Sequence, residues 1–152
     1  MAITSAICNS FKTEILKAVH NFTASTGNDF NIALYTSSAT LGAGTTAYAT
    51  NPGGGADTEI TNTSGSAYQP KGKVLTSVTP VLDSTTAVCD FADVSWTSAS
   101  FTANGCLIFN EDATGDPAVC AIDFGSDKTV TSGTFTIQFP TADASNAIIR
   151  IA

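Results

Sequence analysis

At Asp29 the spacing of apolar residues changes, and this change constrains the fold more than any other feature of the chain. Before it, Ile3, Ile7, Phe11, Ile15 and Val19 recur every four residues, with Leu16 and Phe22 beside them. One apolar stripe at the period of a helix predicts an amphipathic helix over residues 4–20. Thr4 or Ser5 offers a capping hydroxyl, and Gly27 offers a left-handed exit. Asn9, Lys12, Thr13, Glu14 and Lys17 fall on the wet side. After Asp29, Phe30, Ile32 and Leu34 alternate with Asn31, Ala33 and Tyr35, as in a strand with one buried face.

The period of two then continues to the end. Strands are expected at Lys73 to Thr79, Thr86 to Phe91, Val94 to Trp96, Gly105 to Asn110, Ala118 to Phe124, Thr134 to Phe139 and Ala147 to Ile151. Turn residues separate them: Asp83-Ser84, Asp112 to Asp116, Gly125-Ser126-Asp127 and Ser132-Gly133. Short strands at close spacing predict a mainly β fold, an antiparallel β-sandwich or barrel with one N-terminal α-helix. Residues 50–72 interrupt the pattern. Asn51-Pro52-Gly53-Gly54-Gly55 breaks any regular element, and Thr61 to Ser66 is a second polar stretch. Its flanks are too short for separate cores, so residues 1–152 are expected to form a single domain, the sandwich spanning about 29–152.

Composition narrows the function. The chain carries 15 Ser and 24 Thr in 152 residues, only 12% charged residues and nine Phe, too apolar for a disordered chain. Net charge is −7, and residues 81–127 hold eight acids with no Lys or Arg. Six cations spread over the whole length make no phosphate-binding stripe, so neither nucleic acid nor an anionic membrane surface is expected as a partner. No apolar run is long enough to span a bilayer, and the opening Met1-Ala2-Ile3-Thr4-Ser5 lacks the basic-then-apolar order of a secretory signal. Cys8, Cys89, Cys106 and Cys120 form no C-x-x-C pair, and each sits in an apolar or periodic segment. Buried free thiols are the expectation.

No constellation for catalysis stands out. His20 is the only histidine and is read as a residue of the helix end, where a positive imidazole complements the dipole. Asp90 and Asp93, and the group Glu111, Asp112 and Asp116, read as solvated turns; the second spacing does not fit an EF-hand loop. A glycosidase needs two acids facing each other across a cleft, which one turn does not provide. Gly53-Gly54-Gly55 lacks the Lys-Ser/Thr of a phosphate-binding loop. Asn21-Phe22-Thr23 and Asn62-Thr63-Ser64 match a glycosylation sequon, as chance allows in so Ser- and Thr-rich a chain. No enzymatic activity, catalytic residue, cofactor or metal is therefore expected. Among aromatic residues Tyr35, Tyr48, Tyr68 and Trp96 are candidates for contacts. Tyr48 and Tyr68 flank the Gly-rich loop, so Tyr48, Tyr68, Gly53, Gly54 and Gly55 are the candidate interaction residues.

Several segments resemble a family of tailed-phage virion structural proteins, common in viruses of aquatic bacteria. They are Thr4 to Lys12, Ile32-Ala33-Leu34-Tyr35-Thr36-Ser37-Ser38-Ala39-Thr40-Leu41, Asp90-Phe91-Ala92-Asp93-Val94-Ser95-Trp96, Gly105 to Asn110, Asp123 to Lys128 and Phe135 to Pro140. The likeness spans nearly the whole chain. It departs at Ala67-Tyr68-Gln69-Pro70-Lys71-Gly72, where the family often has Gly-Tyr and a Gly pair. The resemblance implies a component of the virion, assembled in the host cytoplasm. A capsid decoration (cement) protein is expected, with the major capsid protein and copies of itself as partners. A trimer would match local three-fold axes of a shell, and an exposed edge strand could add to a partner sheet. A tail, neck or fibre component is the alternative within the virion; a carbohydrate-binding or adhesin module is the alternative of another class.

Overall fold

At the N-terminus strand pairing overrides the four-residue period. In the computed structural model, which describes residues 2–61 and 65–152, Ile3 bridges Leu41 in parallel, and Ala6–Ile7 form a short strand, β1. The helix, α1, covers only Asn9–Leu16 instead of 4–20. Thr4 N–H donates to Leu41 O at 2.9 Å and Cys8 N–H to Val119 O at 3.0 Å, so backbone groups assigned to a helix are spent on neighbouring segments. Tertiary pairing outweighs the weak local preference. Neither Thr4 nor Ser5 caps the helix. Cys8 stands at the N-cap but makes no capping bond, its Sγ donating instead to Gly42 O at 3.8 Å, and Ser5 Oγ accepts from Asp123 N–H at 2.9 Å. The helix stops when Ala18 turns left-handed, at φ 57°. Eight residues cannot hold a helix alone in water. Phe11 anchors it inside, against His20 and Phe22, while Leu16 is 88% exposed. Gly27 serves a later turn. A Cβ there would meet Asn21 O at 2.4 Å.

The rest is two antiparallel sheets, consistent with a sandwich; they do not close into a barrel. The strands are β2 Phe30–Tyr35, β3 Lys73–Val74, β4 Ser77–Asp83, β5 Thr86–Phe91, β6 Val94–Asn110, β7 Ala118–Ile137 and β8 Ile149–Ile151. One sheet has the order β1-β7-β6-β2-β3, the other β4-β5-β8. The expected strand Lys73 to Thr79 is divided between the two sheets. The four expected strands Val94 to Trp96, Gly105 to Asn110, Ala118 to Phe124 and Thr134 to Phe139 are instead one long hairpin of β6 and β7. Gly125-Ser126-Asp127 and Ser132-Gly133 lie within β7, not in connecting turns. Gly125 has φ 76° and Ser132 φ 46°, and the ladder shifts register on either side of Ala99 and between Ala103 and Gly105. Left-handed residues at register shifts bend a ribbon without ending it. The β7 strand curls so far that the rings of Phe124 and Phe135 lie 6.3 Å apart.

Residues of β2 are buried on both faces, Asn31, Ala33 and Tyr35 included, where the alternation predicted a wet side. Residues on either side of the Gly-rich loop cover that face: Tyr35 Oη donates to Ala49 O at 2.8 Å and Asn31 Nδ2 to Lys71 O at 3.3 Å. The core runs between the sheets, with Phe22 stacked on Phe30 at 4.3 Å and Phe91 beside both. Each such ring contributes about 1.5–3 kcal/mol through burial. All four cysteines are buried free thiols, as expected from their apolar settings. Burial pushes the Cys8 thiol up to about 11, with Glu14 adding to it, and the Cys89 thiol up to about 12, with Asp90 adding to it.

Candidate functional site

The candidate residues around the Gly-rich loop divide into a closed part and an open part. Tyr68 is fully buried, not a surface residue. Its hydroxyl accepts from Leu34 N–H at 2.8 Å and donates to Glu59 Oε1 at 2.8 Å. Tyr48 is half-buried, its ring stacked on Phe109 at 4.7 Å, and its hydroxyl donates to Glu59 Oε2 at 2.6 Å. Lys71 N–H donates to Glu59 Oε1 at 2.8 Å. Glu59, itself buried, thus gathers three donors from two sides of the irregular segment. Both phenols are raised above the ordinary range, chiefly because burial disfavours the phenolate, with the nearby Glu59 charge contributing. Tyr35 and Trp96 are buried too, which leaves no exposed aromatic platform among the four candidates.

Gly53, Gly54 and Gly55 are exposed, at φ 99°, 82° and 88°. The left-handed conformation explains the three glycines. Only Gly53 is also crowded: a Cβ would meet Thr40 Oγ1 at 2.7 Å. The loop is tied at its base. Thr40 N–H donates to Pro52 O at 3.0 Å, Gly54 N–H to Asn51 O at 2.8 Å, and Thr50 Oγ1 to Asp57 Oδ1 at 2.7 Å. The sequon at Asn62-Thr63-Ser64 lies outside the described residues.

His20 is not at the helix end; it lies inside, with its ring 5.0 Å from Phe11. Asn110 Oδ1 accepts from Asp112 and Ala113 N–H at 3.2 Å, which turns the Asn110 amide nitrogen toward His20 Nδ1, also at 3.2 Å. The same amide nitrogen also lies 3.2 Å from Val19 O and from Asn28 Oδ1, and on the other side of the ring His20 Nε2 lies 2.9 Å from Glu14 Oε2. Every polar atom of this ring is spent on the fold.

The acidic turn is likewise engaged. Asp112 Oδ2 accepts from Asp29 N–H at 2.7 Å, and the Lys71 ammonium lies 2.9 Å from Asp116 and 3.5 Å from Glu111. That pairing, the hydrogen bond to Asp116 first, raises the Lys71 pKa. Among the described residues no group of three His, Cys, Asp or Glu is placed to hold a metal.

Two surfaces remain open. On the small sheet Leu82, Ala87 and Ile151 lie side by side across β4, β5 and β8, with Leu82 69% and Ile151 54% exposed. On the large sheet, half-buried Phe124, Val130, Phe135 and Ile137 line the curl of β7. Sequence reasoning named neither surface, and it missed Glu59. A buried Tyr seeks a partner for its hydroxyl, but no local signal marks Tyr68 as buried, so the rule had nothing to act on. Comparison with protein-family models, with curated proteins and with solved structures finds no match to this chain.

Proposed function

We propose that the chain is a structural protein of a tailed-phage virion, a capsid decoration (cement) protein that acts by contact alone. The supporting observation is where the chemistry goes. The imidazole of His20, the phenols of Tyr48 and Tyr68 and the carboxylate of Glu59 are all consumed by internal hydrogen bonds, and the thiols are buried. What the surface offers instead is strand edges and rows of apolar side chains. Within the family-like segments, Val94 to Trp96 pair with Phe135 to Ile137 in the hairpin that carries one of those surfaces. Contacts made only in an assembled shell favour assembly by mass action. The reading takes the major capsid protein and copies of the chain as partners, and the virion as its place.

The test is to add the purified protein to undecorated shells of the virus that encodes it. Sedimentation with the shells and a higher shell melting temperature are expected. No association would overturn the reading, and density at the tail or neck in a virion reconstruction would reassign it there.

A further inference from the structure

One face of the small sheet begins as core and ends as surface. Side chains of a strand alternate between faces, so Phe91, Cys89 and Ala87 of β5 share one face. Their exposure rises along the strand: Phe91 is 1% exposed, Cys89 6%, and Ala87 is half-buried. Strand β8 repeats the gradient alongside. Ile149, opposite Cys89, is 6% exposed, and Ile151, opposite Ala87, is 54% exposed. Leu82 of β4, also opposite Ala87, completes the outer row at 69%. The face whose Phe91 packs beside Phe22 and Phe30 therefore continues past its cover as an open apolar shelf.

The shelf carries no charge. Its charged neighbours in sequence, Asp83 and Arg150, alternate onto the opposite face, and both are engaged there. Asp83 Oδ2 accepts from Ala144 N–H at 2.6 Å, and Arg150 donates to Ala144 O at 2.9 Å. Edge strand β4 widens the apolar area, because every residue of Val78–Leu82 is exposed, Val78 at 45% and Val81 at 60%. With roughly 150–200 Å² for a fully exposed aliphatic residue, Val78, Val81, Leu82 and Ile151 together present about 400 Å². Contacts between identical copies are about 65% apolar, so a patch of this size implies about 600 Å² per copy. Two copies then bury about 1,200 Å², where specific, stable interfaces begin.

The character of the shelf selects the occupant. Transient contacts with unlike proteins are no more apolar than the rest of a surface, whereas permanent contacts between copies resemble a core cut in half. The shelf is a core face continued into solvent. On a chain of net charge −7 it is also an uncharged place, where two copies meet without opposing carboxylates. We propose that the shelf of one chain packs face to face on the shelf of a second copy about a two-fold axis, burying Leu82, Ala87 and Ile151 of both, with Val78 and Val81 at the border. This inference rests on the reading above that copies of the chain are partners, and it names the surface they use.

The experiment is sedimentation velocity of the intact protein from about 1 to about 200 μM, since pairing follows mass action. A particle of two copies is expected at the upper end. Leu82→Ser and Ile151→Ser change side chains that are already exposed in the single chain, and circular dichroism checks that each variant folds. Each is expected to weaken pairing about tenfold, and the double variant to sediment as one chain throughout. Leu16→Ser, at a still more exposed position on α1, should leave pairing unchanged. In methyl NMR the Leu82 and Ile151 signals should shift with concentration, and those of Leu16 should not. A chain that stays single at the highest concentration, a particle of three or more copies, pairing that survives the double variant, or equal weakening by Leu16→Ser would overturn the inference. Shell binding separates the two proposals. A single chain that still decorates shells overturns the shelf pairing alone. A pair that ignores shells overturns the decoration reading alone.

Discussion

The two ends of the β6–β7 hairpin are built from the same two strands and have opposite surroundings. Near the turn, Gly105–Asn110 are flanked by β2 and Cys120–Ala121 by β1, and Leu107, Ile108 and Phe109 are fully buried. Toward the other end, Val94–Asn104 and Asp123–Ile137 keep their ladder to each other with no further strand alongside among the described residues; Trp96, Ala99 and Ala103 of β6 stay buried, while Phe124, Val130, Phe135 and Ile137 of β7 are half-buried. The difference teaches that the neighbours of a strand, more than its own residues, decide whether it serves as core or as surface. Thr and aromatic residues suit both ends.

The sharpest way to break this comparison is to truncate each end. Leu107→Ala should cost about 2–5 kcal/mol in urea unfolding, because a fully buried side chain leaves a cavity. Ile137→Ala should cost less than half as much, because water already reaches the site. Equal losses would mean that the open end is packed as tightly as the turn end. Glu59→Ala comes next. It strands the Tyr48 and Tyr68 hydroxyls and the Lys71 amide, and an expected loss of about 3 kcal/mol follows from the cost of unpaired buried donors. A loss under about 0.5 kcal/mol would show that the irregular segment is not held through this carboxylate.

Two glycines extend the comparison to the loop. Gly72→Ala should destabilise strongly, since a Cβ would lie 1.8 Å from Ile32 O and φ is 71°. Gly54→Ala meets open space at φ 82° and should cost only about 1 kcal/mol, the strain of the left-handed backbone. Thermal melting of the two variants checks the order. The smallest effect concerns pH. The unfolded chain releases thiol protons near the ordinary value of 9.0, while folded Cys8 keeps its proton to about 11. The folded state therefore binds more protons between these values, and stability should fall as pH rises from about 9 to about 11. A Cys8→Ser variant should show a shallower fall, read from urea midpoints at pH 8, 9 and 10.

Much of the fold was legible where local and tertiary preferences agree. Strand β5 begins and ends as its alternation and its Asp83-Ser84 turn predicted, and β2 was found at Phe30. The helix was overdrawn because Ile3 and Ile7 satisfy a four-residue period while their backbones pair with Leu41 and Cys120. Pairing partners distant in sequence carry no local signal. The long hairpin was read as separate strands because Gly125 and Ser132-Gly133 look like turn residues in sequence; only the opposing strand reveals them as bends within a continuous ladder. The candidate site was the least legible part. Tyr68 beside a Gly-rich loop looked exposed, and nothing in its neighbours announced that Leu34 N–H and Glu59 would draw it inward.

Hydrogen–deuterium exchange of the free protein, repeated after adding undecorated shells, tests the central claim most directly. The amides of Gly105–Asn110 and Ala118–Ile122 should exchange only through global unfolding in both samples. Those of Asp127–Ile137 should exchange fast in the free protein and become protected on the shell. Uniform protection of both hairpin ends before shells are added, or no change along β7 when the protein is bound, would contradict the account.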